Sequence, residues 1–419
     1  MCIRDRFAGL LLVSFSGLIF LLDMPIHRIG TIMAPLIIRS ATSWELSAIP
    51  MFVWMGEIMF RTDISNRLFR GLSPIVYYLP GRLLHTNVMG SALFAAVSGS
   101  SAATTATVGK ITTTELLKRN YSKSLAFGSL AGAGSLGLLI PPSIVLIVYG
   151  VLAEVSISRL FAAGVYPGIL IATLYSGYIM IRCLINPSLA PTLEEKPTFK
   201  DIAFGLIYLI PITILIIIVL GSIYSGIATP SEAAAVGVLA TIILTVLTRQ
   251  LSMEVFLDSL MGAVRTSCMI ASILLAAAFL STSMAFLHVP QEVAAGIAKL
   301  NLSPYEMIAT LAIFYILLGL FLEGISITVM SLPITLPLVL AAGFDPIWFG
   351  IFLVIMVELA QITPPVGFNL FIIQGLTGTP IMRVAIASAP FFILMCCAAA
   401  IITIFPQIAL WLPDTLFNK

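Results

Sequence analysis

Charged residues are scarce in this sequence. Of 419 residues only 10% are Asp, Glu, Lys or Arg, whereas soluble domains carry roughly 25%. Hydrophobic residues make up 59% of the chain, and its mean hydropathy is +1.10. Too few charges remain to solvate a globule of this size, so lipid must cover most of the surface. The net charge of +2 says nothing about nucleic acid, but no basic stripe or aromatic-interleaved patch occurs, so nucleic acid is not expected as a partner.

Histidine and paired cysteine are missing where catalysis or metal binding would need them. The three histidines all lie at the ends of apolar segments, and no His-Glu-x-x-His motif occurs. The five cysteines are scattered without metal-ligand spacing, which predicts small buried hydrophobic side chains. A membrane-embedded enzyme would need a buried nucleophile and base, or metal ligands, so the sequence disfavours that class. The residues are His27, His85, His288, Cys2, Cys183, Cys268, Cys396 and Cys397.

Long apolar runs dominate what is present. A membrane-spanning helix needs about 20 apolar residues, and nine segments are predicted to be spans on that criterion. Two further apolar stretches, 86–118 and 303–341, are each interrupted midway by small polar residues, as a helical hairpin would be. The predicted spans are 7–24, 46–60, 121–153, 158–184, 203–224, 230–248, 266–287, 346–376 and 384–406.

The basic residues predict the orientation. Between Arg61 and Lys123 there are eight Lys or Arg against two acids, which places this region in the cytoplasm by the positive-inside rule. Counting spans forward predicts a C-terminus on the outside, and it makes the two interrupted stretches enter from opposite faces. Within the same region, residues 64–84 predict an amphipathic helix at the cytoplasmic interface.

The interruptions recur in both halves of the chain. Residues 98–107 read SGSSAATTAT, and a later apolar helix is broken by Pro141-Pro142. In the second half, residues 323–328 read EGISIT, and the break is Pro364-Pro365. The glycines of the two tips are 225 positions apart and the two Pro-Pro pairs 223 apart. This nearly constant offset indicates an internal repeat of a small-polar hairpin tip followed by a Pro-Pro helix break.

Such breaks have a use in a transporter. Irregular backbone at membrane depth is tolerated only where protein or a water-lined cavity satisfies its polar groups. Proline frees carbonyls of the preceding turn, and carbonyl and hydroxyl oxygens suit sodium, while helix N-termini favour a carboxylate. Interrupted segments in corresponding positions of two halves predict the midplane site of a secondary transporter. The alternative is that the small residues merely let helices pack closely.

At these residues the sequence resembles the large membrane subunit of tripartite ATP-independent periplasmic (TRAP) transporters. The resemblance runs over nearly the whole chain, from residues 48–52 (AIPMF) to the last span. Its most specific parts are residues 97–102 (VSGSSA), 139–143 (LIPPS) with Tyr149-Gly150, 228–234 (ATPSEAA) and 363–370 (TPPVGFNL).

The resemblance implies a fold and a set of partners. The fold would be an all-α polytopic membrane protein of the inverted-repeat, elevator type, with two re-entrant helical hairpins and two Pro-broken helices. Transport would run across the bacterial inner membrane, driven by sodium ions and without another cofactor. Besides the lipid bilayer, the partners would be a small four-helix membrane subunit and a soluble periplasmic binding protein that delivers the substrate.

Carried over by position, the resemblance implies two sodium sites and a substrate site between the tips. Each sodium site would combine one hairpin tip with the break that follows it. Separately, charge at membrane depth is costly, so Glu323 and Glu358 are candidates for a role in coupling. The expected sodium ligands are Gly99, Ser100, Ser101, Gly137, Pro141, Ser143, Gly324, Ser326, Thr328, Thr363 and Gly367; the expected substrate ligands are Ser100, Thr104, Ser326 and Asn369.

The resemblance also predicts how the chain divides. Large subunits of this family usually open with a complete apolar span, and the polar leader 1–6 does not look like part of one, so an incomplete N-terminus is expected. The expected divisions are 1–84 (scaffold and arm helices), 85–155 (first transport-domain repeat), 156–302 (scaffold and connecting helices), 303–380 (second transport-domain repeat) and 381–419 (C-terminal span and tail).

The expected substrate is a small organic acid. C4-dicarboxylates are the commonest class in the family, although the binding protein does most of the selecting. The alternative within transport is an ion-coupled carboxylate symporter that works without a binding protein. Alternatives from other classes are a membrane-embedded enzyme and a non-transporting scaffold or receptor.

Overall fold

The computed structural model of the chain describes residues 3–191, 196–298, 300 and 302–417. All regular elements within these residues are helical. Predictions that involve Met1, Cys2 or residues 192–195 of the polar loop lie outside the described residues. The α-helices are α1 (Ile3–Phe20), α2 (Ile26–Ala41), α3 (Ala48–Arg61), α4 (Ile64–Val76), α5 (His85–Ser98), α6 (Ser101–Lys118), α7 (Lys123–Gly134), α8 (Ile144–Leu152), α9 (Ile157–Ile185), α10 (Phe199–Tyr224), α11 (Pro230–Leu247), α12 (Met253–Phe286), α13 (Val289–Ala298), α14 (Pro304–Gly319), α15 (Gly324–Ala341), α16 (Pro346–Gln361), α17 (Phe368–Thr377), α18 (Ile381–Ile404) and α19 (Gln407–Phe417).

Six of these helices are long and apolar enough to cross a membrane: α9, α10, α11, α12, α15 and α18. The predicted span 46–60 is α3, whose 14 residues are too few to cross a bilayer alone. The predicted span 266–287 is only the later part of α12, which has 34 residues. Apolar runs therefore located these helices well but misjudged the lengths of these two.

The amphipathic helix predicted for 64–84 ends earlier, at Val76. Leu68, Leu72 and Val76 lie four residues apart and are buried, and the helix packs against α10. The chain then turns at Gly81, whose φ of +101° is the left-handed region that favours glycine.

Three helices are absent from the sequence predictions: α2, α13 and α19. Helix α2 contains Arg28, Pro35 and Arg39, so its apolar residues form no continuous run. Helices α13 and α19 have 10 and 11 residues, well below the length of a span. A criterion based on long apolar runs does not detect short amphipathic helices.

One of the family-like motifs, residues 228–234, has a local structural explanation. Thr229 precedes α11, and its hydroxyl accepts a hydrogen bond from the Glu232 backbone N–H at 3.4 Å. The Glu232 carboxylate in turn accepts from the Thr229 backbone N–H at 2.8 Å. Pro230 occupies the first helical turn, where no amide donor is needed. The motif is a capping box that starts the helix.

The first predicted hairpin and broken helix are confirmed. Helices α5 and α6 form the hairpin, with Gly99 and Ser100 between them. Helix α7 continues as a 3-10 turn, Ser135–Leu138, and stops before Pro141-Pro142, which are joined by a cis peptide bond. Helix α8 resumes at Ile144.

The second hairpin and broken helix repeat this arrangement. Helices α14 and α15 form the hairpin, with residues 320–323 at its tip. Helix α16 ends at Gln361, and α17 begins at Phe368 after the cis Pro364-Pro365 pair. Helix α16 is buried at every position from Ile347 to Gln361, as expected of a helix that is apolar all round.

The two repeats are intertwined. Helix α6 of the first hairpin packs on α17, and α15 of the second hairpin packs on α8. Likewise α7 packs on α18, and α16 packs on α9. The second arm of each hairpin therefore lies on the half-helix that follows the break of the other repeat, and the core is shared by both.

The remaining long helices form a second body. Contacts run in a continuous series from α4 to α10, α11, α3, α12 and α1. Many apolar side chains of this series are exposed, including Ile207, Ile217, Leu239 and Leu257. Exposed apolar rows on long helices are what a lipid-facing surface requires, since lipid and not water covers them.

Glycine allows a close contact between helices α7 and α18 in the shared core. A Cβ on Gly128 of α7 would lie 2.1 Å from the Ala387 carbonyl oxygen of α18. Gly132, one turn further along, would meet Phe391 in the same way at 2.7 Å. At these two positions the small residues serve close packing.

We expect Gly128→Ala to destabilise the protein by about 1–3 kcal/mol, because the new methyl group overpacks the α7–α18 contact. Gly177→Ala is the matched control, since a Cβ on Gly177 of α9 would meet nothing within 4 Å. That change should raise stability slightly, because alanine favours the helix. Thermal unfolding of the two purified variants tests this, and equal midpoints would contradict the packing described.

Candidate ion and substrate site

The first hairpin tip is held against the first break. Gly99 ends α5 with a φ of +58°, and the Ser100 hydroxyl caps α6 by accepting from the Ala103 N–H at 3.4 Å. The Ile144 N–H at the start of α8 donates to the Gly99 carbonyl at 3.4 Å. A Cβ on Gly99 would lie 2.7 Å from the Pro142 carbonyl oxygen, so only glycine permits this approach.

The turn before the break touches the same tip. A Cβ on Gly137 would lie 2.6 Å from the Ser101 Cα and 2.7 Å from the Ser100 carbonyl oxygen. Ser143 is fully buried at the start of α8, and its hydroxyl accepts from the Leu146 N–H at 3.4 Å. The fold thus brings together five predicted sodium ligands: Gly99, Ser100, Ser101, Gly137 and Ser143.

Pro141 lies on a different side of the break. Its Cδ is 3.5 Å from the position that a Cβ on Gly164 of α9 would take. The carbonyl that faces the tip is that of Pro142, which the sequence predictions did not include. The two prolines are equivalent in the pattern, so the pattern does not say which carbonyl points inward.

The second tip lies against the last turn of α16. A Cβ on Gly324 would lie 2.5 Å from Val357 Cγ1 and 3.5 Å from Gln361 Nε2. The Thr328 hydroxyl donates to the Gly324 carbonyl at 3.0 Å. Ser326 and Thr328 are both buried. These three predicted ligands share one helical turn at the start of α15.

The second break is a compact loop. The Thr363 hydroxyl donates to the Leu359 carbonyl at 2.6 Å. Gly367 has a φ of +32°, and a Cβ there would lie 3.0 Å from the Thr363 carbonyl oxygen. Thr363 and Gly367 therefore face each other across Pro364-Pro365. The second tip closely approaches the last turn of α16, which precedes this loop in the chain, and not the loop itself.

The second tip also reaches the first repeat, at Leu138. This residue belongs to the turn that precedes the first break, and its Cδ1 is 3.6 Å from the Cβ position of Gly324 in the second tip. Its backbone N–H donates at 2.9 Å to the carboxylate of Glu358. One residue of the first repeat thus contacts both the tip and the broken helix of the second repeat.

Glu358 joins the repeats directly. It projects from α16, is only 1% exposed, and its two carboxylate oxygens lie 2.8 and 2.7 Å from the Ser101 hydroxyl of the first tip. No ion pair to Glu358 occurs among the described parts of the chain. The sequence indicated Glu358 because a carboxylate in an otherwise apolar helix is costly, but it did not indicate which residues contact that carboxylate. Glu323, the other predicted acid, is half-buried immediately before α15.

Two expected substrate ligands lie deep in the protein. The Thr104 hydroxyl is fully buried and shares a 2.9 Å hydrogen bond with the Ser98 hydroxyl, which closes the first hairpin below its tip. Asn369 on α17 is also fully buried. Its amide lies beside Thr105 and Gly134, which sequence reasoning did not single out. Ser100, by contrast, is partly exposed at the tip.

The chemistry available here is that of neutral oxygens beside one carboxylate. Carbonyl, hydroxyl and carboxylate oxygens suit a hard cation that sheds its hydration shell. The tips are also the N-termini of α6 and α15, where unpaired N–H groups and the helix dipole favour an anion. Groups that favour a cation and groups that favour an anion therefore occur at the same tips.

Paired hairpins, paired proline breaks and a shared core define the class of this protein. It is an all-α polytopic membrane protein of the transporter type, built from two interlocking repeats, with its polar residues concentrated where the tips meet the breaks.

The family follows from comparison with known sequences. The chain matches the family model "Tripartite ATP-independent periplasmic transporter, DctM component" over residues 5–408. It therefore belongs to the large permease subunits of TRAP transporters. Members of this family are inner-membrane transport proteins and not enzymes, and they work with a small membrane subunit and a periplasmic binding protein.

Characterised relatives carry different substrates in their names. The chain is 33% identical over 387 residues to a C4-dicarboxylate TRAP transporter large permease of Pseudomonas aeruginosa, covering 90% of this chain and 88% of the relative. It is 30% identical over 376 residues to an ectoine/5-hydroxyectoine TRAP large permease of Ruegeria pomeroyi, covering 90% and 87%.

A solved structure has a similar fold. The YdaH transporter of Alcanivorax borkumensis, described as having an unusual topology, superposes with a TM-score of 0.63 over 98% of this chain and 97% of its own. Sequence identity is 13%, so the likeness concerns the fold alone.

We expect Gly137→Ala to reduce uptake by about tenfold or more, because its methyl group pushes the first tip off the break. Overpacking of this kind costs about 1–3 kcal/mol, and about 1.4 kcal/mol corresponds to tenfold. Gly375→Ala is the matched control, since a Cβ on Gly375 of α17 would meet nothing within 4 Å. Uptake by both variants, normalised to folded protein, is the measurement; equal uptake would show that the tip does not need this contact.

Proposed function

We propose that this subunit carries out secondary active uptake of a small organic acid, driven by a sodium gradient, after a periplasmic binding protein has delivered the substrate. The observation that carries the proposal is that the first tip contacts Glu358 through Ser101, the second tip contacts Leu138, and Leu138 and Glu358 are hydrogen-bonded to each other. Tips linked in this way can hold a substrate between them, and each tip brings oxygen ligands for a cation.

Sodium is the proposed driving ion because neutral oxygens predominate at both tips. The first tip has the Ser100 and Pro142 carbonyls close to Gly137 and Gly99, respectively. The second has hydroxyls from Ser326 and Thr328. A proton-driven cycle needs a titratable group at the site, and Glu323 or Glu358 could supply one; Glu358 contacts the first tip. Its hydrogen bond to Ser101 instead supports a role in raising the cation affinity of the first tip.

The proposed substrate is a carboxylate of the C4-dicarboxylate type. Helices α6 and α15 both begin at the tips, so two positive helix ends point to the space between them. Two helix ends suit a molecule with two negative groups. The relatives named for dicarboxylates support this choice, whereas those named for ectoine show that the family accommodates other solutes.

The proposed movement is of the elevator type. The intertwined core carries both tips as one unit, and the layer from α4 to α1 offers lipid-facing helices that can remain in place. The substrate would cross the membrane with the core. A small four-helix membrane subunit is the proposed partner of the lipid-exposed layer.

We expect uptake into proteoliposomes to follow an imposed sodium gradient and not an imposed pH gradient of equal driving force. Glu358→Gln keeps an oxygen that can accept from Ser101 or Leu138 but removes the negative charge. It should therefore weaken sodium dependence, raising the half-saturating sodium concentration several-fold. Uptake that ignores sodium, follows the pH gradient and is lost in Glu358→Gln would refute sodium coupling.

We also expect the subunit to need its partners. Reconstituted alone it should show no measurable uptake, because its longest predicted polar loop, 186–201, is too short to form a substrate-binding domain. Adding the binding protein and the small subunit should restore uptake. A relative of the same family reconstituted in parallel is the control, and robust uptake by the isolated subunit would favour a symporter that needs no binding protein.

A further inference from the structure

Two buried polar side chains in the shared core lack hydrogen-bond partners. Thr105 of α6 and Asn369 of α17 are both 0% exposed. The Thr105 hydroxyl and both polar atoms of the Asn369 amide make no hydrogen bond within the described residues. Burying such groups unpaired is costly, so a partner of some kind is expected.

These side chains meet at one point beside Gly134. A Cβ on Gly134 would lie 1.9 Å from the Thr105 hydroxyl oxygen and 3.4 Å from the Asn369 amide nitrogen. A half-turn of the amide presents its oxygen at the same place. Gly134 is thus the residue that leaves room for both groups to face each other.

The neighbouring oxygens outnumber the hydrogens available to them. The Ser101 hydroxyl lies 2.8 Å from the Gly134 carbonyl oxygen and 2.8 and 2.7 Å from the two oxygens of Glu358. A serine hydroxyl has a single hydrogen, and the Leu138 N–H gives the Glu358 carboxylate one more at 2.9 Å, so two hydrogens serve the three oxygens of the carbonyl and the carboxylate. Such an excess of acceptors is the environment that a cation stabilises.

The negative charge of the Glu358 carboxylate also favours a cation at this position. Ser101 and Thr105 are four residues apart on α6, hence on one face, which places the Glu358 carboxylate about one helical turn from Thr105. A buried carboxylate without a cationic partner is costly. A monovalent cation beside Thr105 and Asn369 would offset that charge in a medium of low dielectric constant.

The cluster has no counterpart in the other repeat. At the offsets that relate the repeats, Thr105 corresponds to Met330, Asn369 to Leu146 and Gly134 to Val357. All three equivalents are apolar. A polar cluster kept in only one of two duplicated cores serves something other than the shared fold.

We infer that Thr105, Asn369 and the Gly134 carbonyl hold a further sodium ion, balanced by Glu358 and distinct from the two ions proposed at the tips. The inference rests on the proposed sodium coupling and adds a third ion without a symmetry-related mate. A buried water molecule is the competing occupant, and it differs from sodium in being indifferent to the salt present.

The test is the number of sodium ions bound per subunit. The chain, co-purified with its small membrane subunit in nanodiscs, is equilibrated with radioactive sodium-22, with choline as the replacement ion. Thr105→Val removes only the hydroxyl, and Asn369→Leu introduces the residue found at the equivalent position. Each variant should bind one ion fewer than wild type, whereas Thr105→Ser should bind the full number.

Thr107→Val is the matched control. Thr107 is buried on the same helix with an equally unpartnered hydroxyl, but it lies against Leu68 and Leu72 of α4. Its replacement should leave the ion count unchanged.

The outcomes separate this inference from the proposed function. Wild-type protein that binds no sodium would refute sodium coupling itself. A full count in Thr105→Val and Asn369→Leu would overturn the further site alone, as would loss of every ion in Thr105→Val while the protein stays folded. If Asn369→Leu does not fold, Thr105→Val against Thr107→Val decides the matter.

Discussion

The whole arrangement depends on covering exposed backbone in the middle of the membrane. The Pro141-Pro142 and Pro364-Pro365 breaks leave carbonyls that no helix can pair, and lipid offers them no hydrogen bond. The first hairpin tip covers the first break by lying on it, and it can do so only because Gly99 and Gly137 lack side chains. The same exposed carbonyl oxygens are the proposed ligands of an ion. The proline breaks are therefore the origin both of the unpaired backbone groups and of the proposed ion sites.

The crossed packing of the two repeats stabilises the breaks. Each hairpin lies on the other repeat's half-helix, so neither break can open without disturbing both repeats. Leu138 and Glu358 extend this to the polar atoms, since their 2.9 Å hydrogen bond links the first break to α16. Under the proposed function, an ion bound at one tip would therefore change the position of the other tip, and this would couple ion binding to substrate binding.

The elements that the sequence predicted correctly are those whose structure is determined by a few neighbouring residues. Glycine and serine tips and paired prolines act within a few residues, so both hairpins and both breaks are placed correctly. Helices α2 and α19 were missed because their proline and polar residues interrupt the apolar runs. The partners of Glu358 could not be predicted either, because Ser101 is 257 positions away and only the crossed packing brings them together. Thr105 looked like any other residue of a threonine-rich helix.

The two repeats have the same order of helices and breaks, but they differ in the polar side chains at equivalent positions. Glu358 corresponds to Ser135 in the first repeat, whose hydroxyl simply donates to Gly132 of its own helix at 2.5 Å. One duplicated position thus carries a charge that reaches across the interface, while its mate stays local. The proposed sodium coupling would rest on this asymmetry, because only one of the two duplicated helices places a carboxylate beside the hairpin tip of the other repeat.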